Sequence, residues 1–156
     1  MEKLSMPVPS LLRPLPKLAP RHKLHICFGT PYGKALADMY TGYDSGDYWT
    51  VHDRMRAGDL VLSMVATVPR MIIGLDVVEV DYDPRTSKYM ECDQSVAVRF
   101  EKGILADAVA NPRNKVELPE SGYLEGSDAR RLLKALDAEY QLDIPWFTPD
   151  RWHALR

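Results

Sequence analysis

Hydrophobic positions along this chain fall into short clusters of differing period, and that mixture predicts an α+β domain. KLHICF at residues 23–28 alternates apolar and polar side chains and is β-prone, which predicts a first strand. Gly29-Thr30-Pro31 ends it. Thr30 as N-cap and Pro31 at the first helical position then predict a helix through YGKALADMY, with Leu36, Met39 and Tyr40 on one side and Gly42 as its stop. TGYDSGDY is rich in turn formers and reads as an exposed loop. His52 to Arg56 reads as one helical turn ended by Gly58.

LVLSMVAT, from residue 60, is apolar without alternation and predicts a strand covered on both faces. Val68-Pro69-Arg70 joins it to MIIGLDVVEVDYD, a longer strand in which Gly74 marks a bulge or a bend. SVAVRFEKGIL predicts a further strand with Val96, Val98 and Phe100 pointing one way. Residues 106–126 read as irregular, with a turn at Asn111-Pro112-Arg113-Asn114 and a short strand at KVEL. Ser127 is the expected cap of a helix over DARRLLKALDAEY, whose Ala129, Leu132, Leu133, Leu136 and Tyr140 share one face. The tail DIPWFTPDRWHALR, aromatic and interrupted by prolines, is expected to pack back onto the domain. Helices do not alternate regularly with strands, so a mostly antiparallel, curved sheet with flanking helices is expected rather than a doubly wound one.

Five prolines (Pro7, Pro9, Pro14, Pro16 and Pro20) predict that residues 1–20 form an extended arm, and residues 21–156 a single domain. The arm is either a flexible tail or a strap whose Leu11, Leu12, Leu15 and Leu18 pack on the domain or on a partner. Apolar residues make up 46% and charged ones 27%, ordinary values for a globular chain. The longest apolar run is far short of the roughly 18 residues that span a bilayer. With no membrane segment and no apolar leader, the cytoplasm is the expected setting. A net charge of −2 argues against a large phosphate-tracking surface, though not against gripping one unpaired base. Cys27 and Cys92 have neither the number nor the spacing of a disulfide framework or a zinc cluster, and His22-x2-His25 has no nearby companion in the chain. Neither a metal nor a cofactor is implied.

The order of elements, with W-x8-GDLVL-x11-GLDVVEV from Trp49 to Val80, resembles the EVE domain of the PUA-like superfamily. In that group a tryptophan precedes a short helix, a Gly-Asp turn opens a strand, and the next strand contains an apolar-Gly-apolar step. The resemblance implies a curved β-barrel with flanking helices and a pocket for a nucleic-acid base, modified ones included, in DNA, RNA or a nucleotide. Trp49 would be its aromatic wall, and Phe28, Gly29 and Thr30 would stand at its rim. Where the family strand continues with an aromatic and a small polar residue, this chain has Met64 and Ala66, with Ser63 one step away.

Physical chemistry supports Trp49, and Tyr48 before it, as base-stacking candidates, because stacking on an aromatic contributes about 1–3 kcal/mol per base. Thr30 and Ser63 would offer hydrogen bonds, and Arg70 and Arg99 forks of donors for the nucleic-acid backbone. A non-enzymatic base-binding module is the leading expectation. One alternative is an ASCH-like ribonuclease or small hydrolase on the same fold, with Tyr32, Lys34 or His52 in a cleft. Another is an accessory subunit of a defence or mobile-element system that docks a protein partner through its N-terminal arm and aromatic tail. Ser63, Cys27 and Cys92 have no His/Asp partner in any local catalytic motif.

Overall fold

The computed structural model describes residues 14–29, 55–65, 69–85, 96–119 and 122–142. Five strands and two helices occur among them: β1 (Lys23–Gly29), β2 (Leu60–Val65), β3 (Met71–Val77), β4 (Val98–Leu105), α1 (Ala106–Val109), β5 (Gly122–Glu125) and α2 (Gly126–Leu142). The sheet order is β4-β3-β2-β1-β5. β1 and β2 run parallel, and the other three pairings are antiparallel. The domain is therefore α+β with a mixed sheet. Among the described residues this sheet is open, with β4 and β5 as its two edges.

β2 is the central strand, and all six of its residues are buried, which is why its sequence shows no polar alternation. Register assigns each side chain to a face. Ile26, Leu62, Leu75 and Val98 stand in one row across β1, β2, β3 and β4, and all belong to the main core. α2 closes that face with Ala129, Leu132 and Leu136, spaced three and four residues apart as one helical stripe, and Tyr140 meets Phe100 edge-on. Burying each leucine contributes about 1.5–3 kcal/mol.

Leu15 and Leu18 of the proline-rich segment pack against the same core. The described part of the arm is thus bound to its own domain. Residues 1–13 lie outside the described residues, as do the predicted helix after Pro31, the loop and turn through Arg54, and the tail from residue 143.

Gly74 does mark an irregularity. The β2–β3 register shifts between Ser63 and Met64, and the β3–β4 register between Ile72 and Gly74. Such bulges bend a sheet and increase its twist. Other elements differ from expectation. KVEL forms no strand: its first residue, Lys115, adopts φ 56°, in the left-handed region rather than the extended one. The β-pairing falls instead on Gly122–Glu125, where β1 presents an edge. β4 starts at Val98, and Val96 before it is exposed. Residues 106–109 make a helical turn whose last carbonyls receive side-chain donors, Asn111 Nδ2 bonding Asp107 O at 3.0 Å and Asn114 Nδ2 bonding Val109 O at 2.9 Å. α2 begins at Gly126 rather than after a Ser127 cap.

Candidate functional site

The sheet face opposite α2 carries polar side chains where a covered sheet ordinarily carries aliphatic ones, and two turns organise its lower end. In Arg56–Asp59 the Asp59 N–H donates to Arg56 O at 2.9 Å, and Gly58 at φ 96° holds the third position. In 19–22 the His22 N–H donates to Ala19 O at 3.2 Å, with Pro20 second and Arg21 third at φ 73°. Both have the form of a type II turn, which favours proline second and needs positive φ third. Together they bring His22 and Asp59 face to face.

Asp59 is buried and accepts four hydrogen bonds. Its Oδ1 receives His22 Nδ1 at 3.0 Å and the Lys23 N–H at 3.1 Å, while Oδ2 receives His25 Nε2 at 2.8 Å and the Arg56 N–H at 3.0 Å. Burial by itself would push this carboxyl up. The bonds from His25, the Lys23 N–H, His22 and the Arg56 N–H outweigh burial and hold it below the usual carboxylate range. His25 also meets Tyr123 of β5 edge-on. The aspartate of the Gly-Asp turn thus ties the start of β1 to the start of β2. It also supplies the partner that the two histidines lack in the linear sequence, more than thirty residues away.

Further along the same face, Cys27, Ser63, Gly74 and Arg99 form one row across β1, β2, β3 and β4. Asp76, two residues beyond Gly74, reaches back into that row. Its Oδ1 accepts Arg99 Nη1 at 2.8 Å and its Oδ2 accepts the Ser63 hydroxyl at 3.5 Å. Ser63 and Asp76 are fully buried, while the Arg99 side chain keeps 25% of its surface exposed. Burial and then the Asp76 charge push the Cys27 thiol up to about 12, so it stays protonated at neutral pH and is no nucleophile. An apolar patch of Cys27, Met55, Val61 and Val78 packs on this face beside both polar groups.

Gly74 explains how a guanidinium fits there. A Cβ at this position would lie 3.2 Å from Arg99 Nη1 and 3.4 Å from Arg99 Cδ, so the missing side chain leaves room for Arg99 to lie across β3.

Among the residues expected to form a site, the structure brings Ser63 and Arg99 together through Asp76. Phe28 and Gly29 end β1 opposite Met64 and Val65, and Thr30 is the next residue of the chain. Thr30, Tyr48 and Trp49 lie outside the described residues. Arg70 is placed elsewhere. Its carbonyl accepts the Ala106 N–H at 3.0 Å, and its side chain stands 3.8 Å from Asp107 at a cavity of about 810 Å³ that Lys115, Leu118, Leu124 and Asp128 also line. Asp59 and Asp76 were not singled out in the sequence. The available signal was an aspartate inside an otherwise apolar strand, GLDVV, since a charge placed there needs a partner.

No group of three or more His, Cys, Asp or Glu side chains among the described residues is arranged to hold a metal ion, and no described helix is long and apolar enough to cross a membrane. In comparisons with known proteins, no family model, no curated protein and no solved structure matches the chain.

Proposed function

We propose that the protein is a non-enzymatic module that holds a nucleic-acid base, modified ones included, against the polar face of its sheet. The observation that carries this reading is the Ser63–Asp76–Arg99 group, two of whose members are wholly buried. Keeping a charged carboxylate inside a domain is a poor route to stability, because its desolvation offsets most of what the ion pair contributes. Such a group is better accounted for as a device for recognition. Ser63 lies two residues before the point where the parallel strands β1 and β2 end side by side at Gly29 and Val65, and the ends of parallel strands are where ligands are commonly received. Trp49 and Tyr48 stack the base in this reading, Thr30 offers a hydrogen bond at the rim and Ser63 one from the floor. A PUA-like barrel belongs to the same proposal, and the two register shifts around Gly74 supply the curvature it needs. So does a cytoplasmic setting, in which a thiol such as Cys27 stays reduced.

The hydrolase alternative draws nothing from Cys27, whose thiol is held protonated. The partner-docking alternative loses Leu15 and Leu18, which are spent on the core of the domain. The test is a titration of short single-stranded DNA and RNA, with and without methylated bases, against wild type, Trp49→Ala and Ser63→Ala. Saturable binding by wild type, weakened by both substitutions in proteins that keep their circular dichroism, supports the reading. Absence of binding by a folded wild type across the panel refutes it.

A further inference from the structure

We infer that the groove between the N-terminal arm and α2 is a docking site for an acidic amphipathic segment of a partner protein, met by Lys17 of the arm and by Arg130 and Lys134 of the helix. α2 covers the sheet face opposite the polar one, so this surface is separate from the candidate base site and the inference stands apart from the base-binding reading.

The groove has a volume of about 470 Å³ and is lined by residues 14–18 and by residues of α2 between 130 and 141. Its apolar part comes from Leu15, Leu18 and Leu133, all half-buried and packed against the main core. The leucines of the arm are thus fixed as one wall of the groove rather than free to dock elsewhere. Pro14 and Pro16 stiffen that wall, because proline fixes φ. A wall of leucine and proline offers nothing to a hydrated phosphate, but apolar side chains laid against it are removed from water.

Charge decides what kind of apolar segment fits. Three cations and one carboxylate, Asp137, line the groove, in a chain whose overall charge is −2. Arg131 is paired with Asp128, but among the described residues Lys17, Arg130 and Lys134 have no ion-pair partner. Asp137 stands three residues from Lys134, yet it accepts a hydrogen bond from Gln141 Nε2 at 3.4 Å instead. A spacing of four residues puts Arg130 and Lys134 on one side of the helix. Their exposed heads meet water while the stems extend the apolar lining. A single exposed ion pair contributes little. The segment that gains most is therefore one that brings several carboxylates to these cations and lays an apolar stripe between them, as a helix does in a groove.

The experiment is fluorescence anisotropy of the whole chain with a short labelled peptide of leucine and glutamate at helical spacing. Beside it are run the same peptide with glutamine for glutamate, the same peptide with alanine for leucine, and an unlabelled single-stranded oligonucleotide as competitor. Wild type is expected to bind the acidic peptide about tenfold or more tightly than either altered peptide, and less tightly as salt rises. Arg130→Glu combined with Lys134→Glu is expected to weaken that binding about tenfold or more in a protein that keeps its circular dichroism. Arg113→Glu combined with Arg131→Glu changes the net charge equally at positions outside the groove, and is expected to leave binding within about twofold. Equal affinity for the acidic peptide and either altered one, equal loss in the two double variants, or failure of the acidic peptide to bind folded wild type overturns the inference. Displacement of the acidic peptide by the oligonucleotide assigns these cations to phosphates and overturns it as well.

Discussion

Replacing Asp59 with asparagine tests how the two parallel strands are held together. The carboxylate accepts two hydrogen bonds on each oxygen, one of each pair from a backbone N–H: Lys23 on Oδ1 and Arg56 on Oδ2. An asparagine has one acceptor oxygen and one amino group. Whichever way its amide turns, the amino group faces one of those N–H groups, donor against donor. A buried N–H that loses its acceptor costs about 1–3 kcal/mol, and removing the charge from the remaining bonds costs about 1 kcal/mol more. The expected loss is therefore about 2–4 kcal/mol, a large share of the roughly 5–15 kcal/mol of a typical domain. Urea unfolding at pH 7 measures it, with the m-value confirming that the same surface is exposed in both proteins. The pH dependence adds an independent check. Because the folded-state carboxyl lies below its ordinary 3.8, its contribution is complete above that value and disappears as pH falls through the lower folded value. The gap between wild type and Asp59→Asn should shrink in acid below about pH 4. A loss under about 0.5 kcal/mol at pH 7, the scale of an ordinary surface substitution, refutes the assignment of Asp59 as the tie between β1 and β2.

Further substitutions probe the turns beside Asp59 and the burial of Cys27. Gly58→Ala puts a Cβ 2.6 Å from the His22 ring at φ 96°, whereas Gly122→Ala has similar φ, 94°, and nothing within 4 Å. Both pay about 1–2 kcal/mol for the left-handed backbone, and Gly58→Ala should cost about 1 kcal/mol more through the displaced His22–Asp59 bond, as thermal or urea unfolding will show. Arg21→Gly relieves a non-glycine residue held at φ 73° and should stabilise the protein by about 0.5–1 kcal/mol after the flexibility of glycine is subtracted; destabilisation would mean that the Arg21 side chain contributes more than its strain costs. In a Cys92→Ser protein the remaining Cys27 thiol, raised to about 12, should react with a disulfide reagent at pH 8 only as fast as the protein unfolds, and rapid modification of the native state would contradict its burial.

The legible parts of this fold are those in which local period and burial agree. β1 and β2 announce themselves because they are short, apolar and bounded by Gly29 and Gly58. α2 does so because Ala129, Leu132 and Leu136 repeat at helical spacing over a long segment. β5 was not legible: GYLE has only four residues, and what makes it a strand is the free edge of β1 lying beside it, a tertiary fact. KVEL, the better strand by composition, opens on Lys115 in the left-handed region and follows the two asparagines that close α1. The site divides the same way. Ser63, Arg99 and the glycine of β3 can be picked out of the sequence. What joins them cannot, because Asp76 reaches Arg99 across 23 residues and Asp59 reaches His25 across 34. Convergence over such separations is set by strand register, which a single sequence does not state.

The most direct measurement of the central claim is a two-dimensional amide NMR titration of the wild-type protein with a single-stranded oligonucleotide. If the polar sheet face receives a base, the largest shifts fall on the row from Cys27 through Ser63 and Gly74 to Arg99 and on Asp76, with the buried positions of α2, Leu132 and Leu136, unmoved. Shifts gathered instead around the cavity of Arg70, Lys115 and Asp128, with that row unchanged, contradict it.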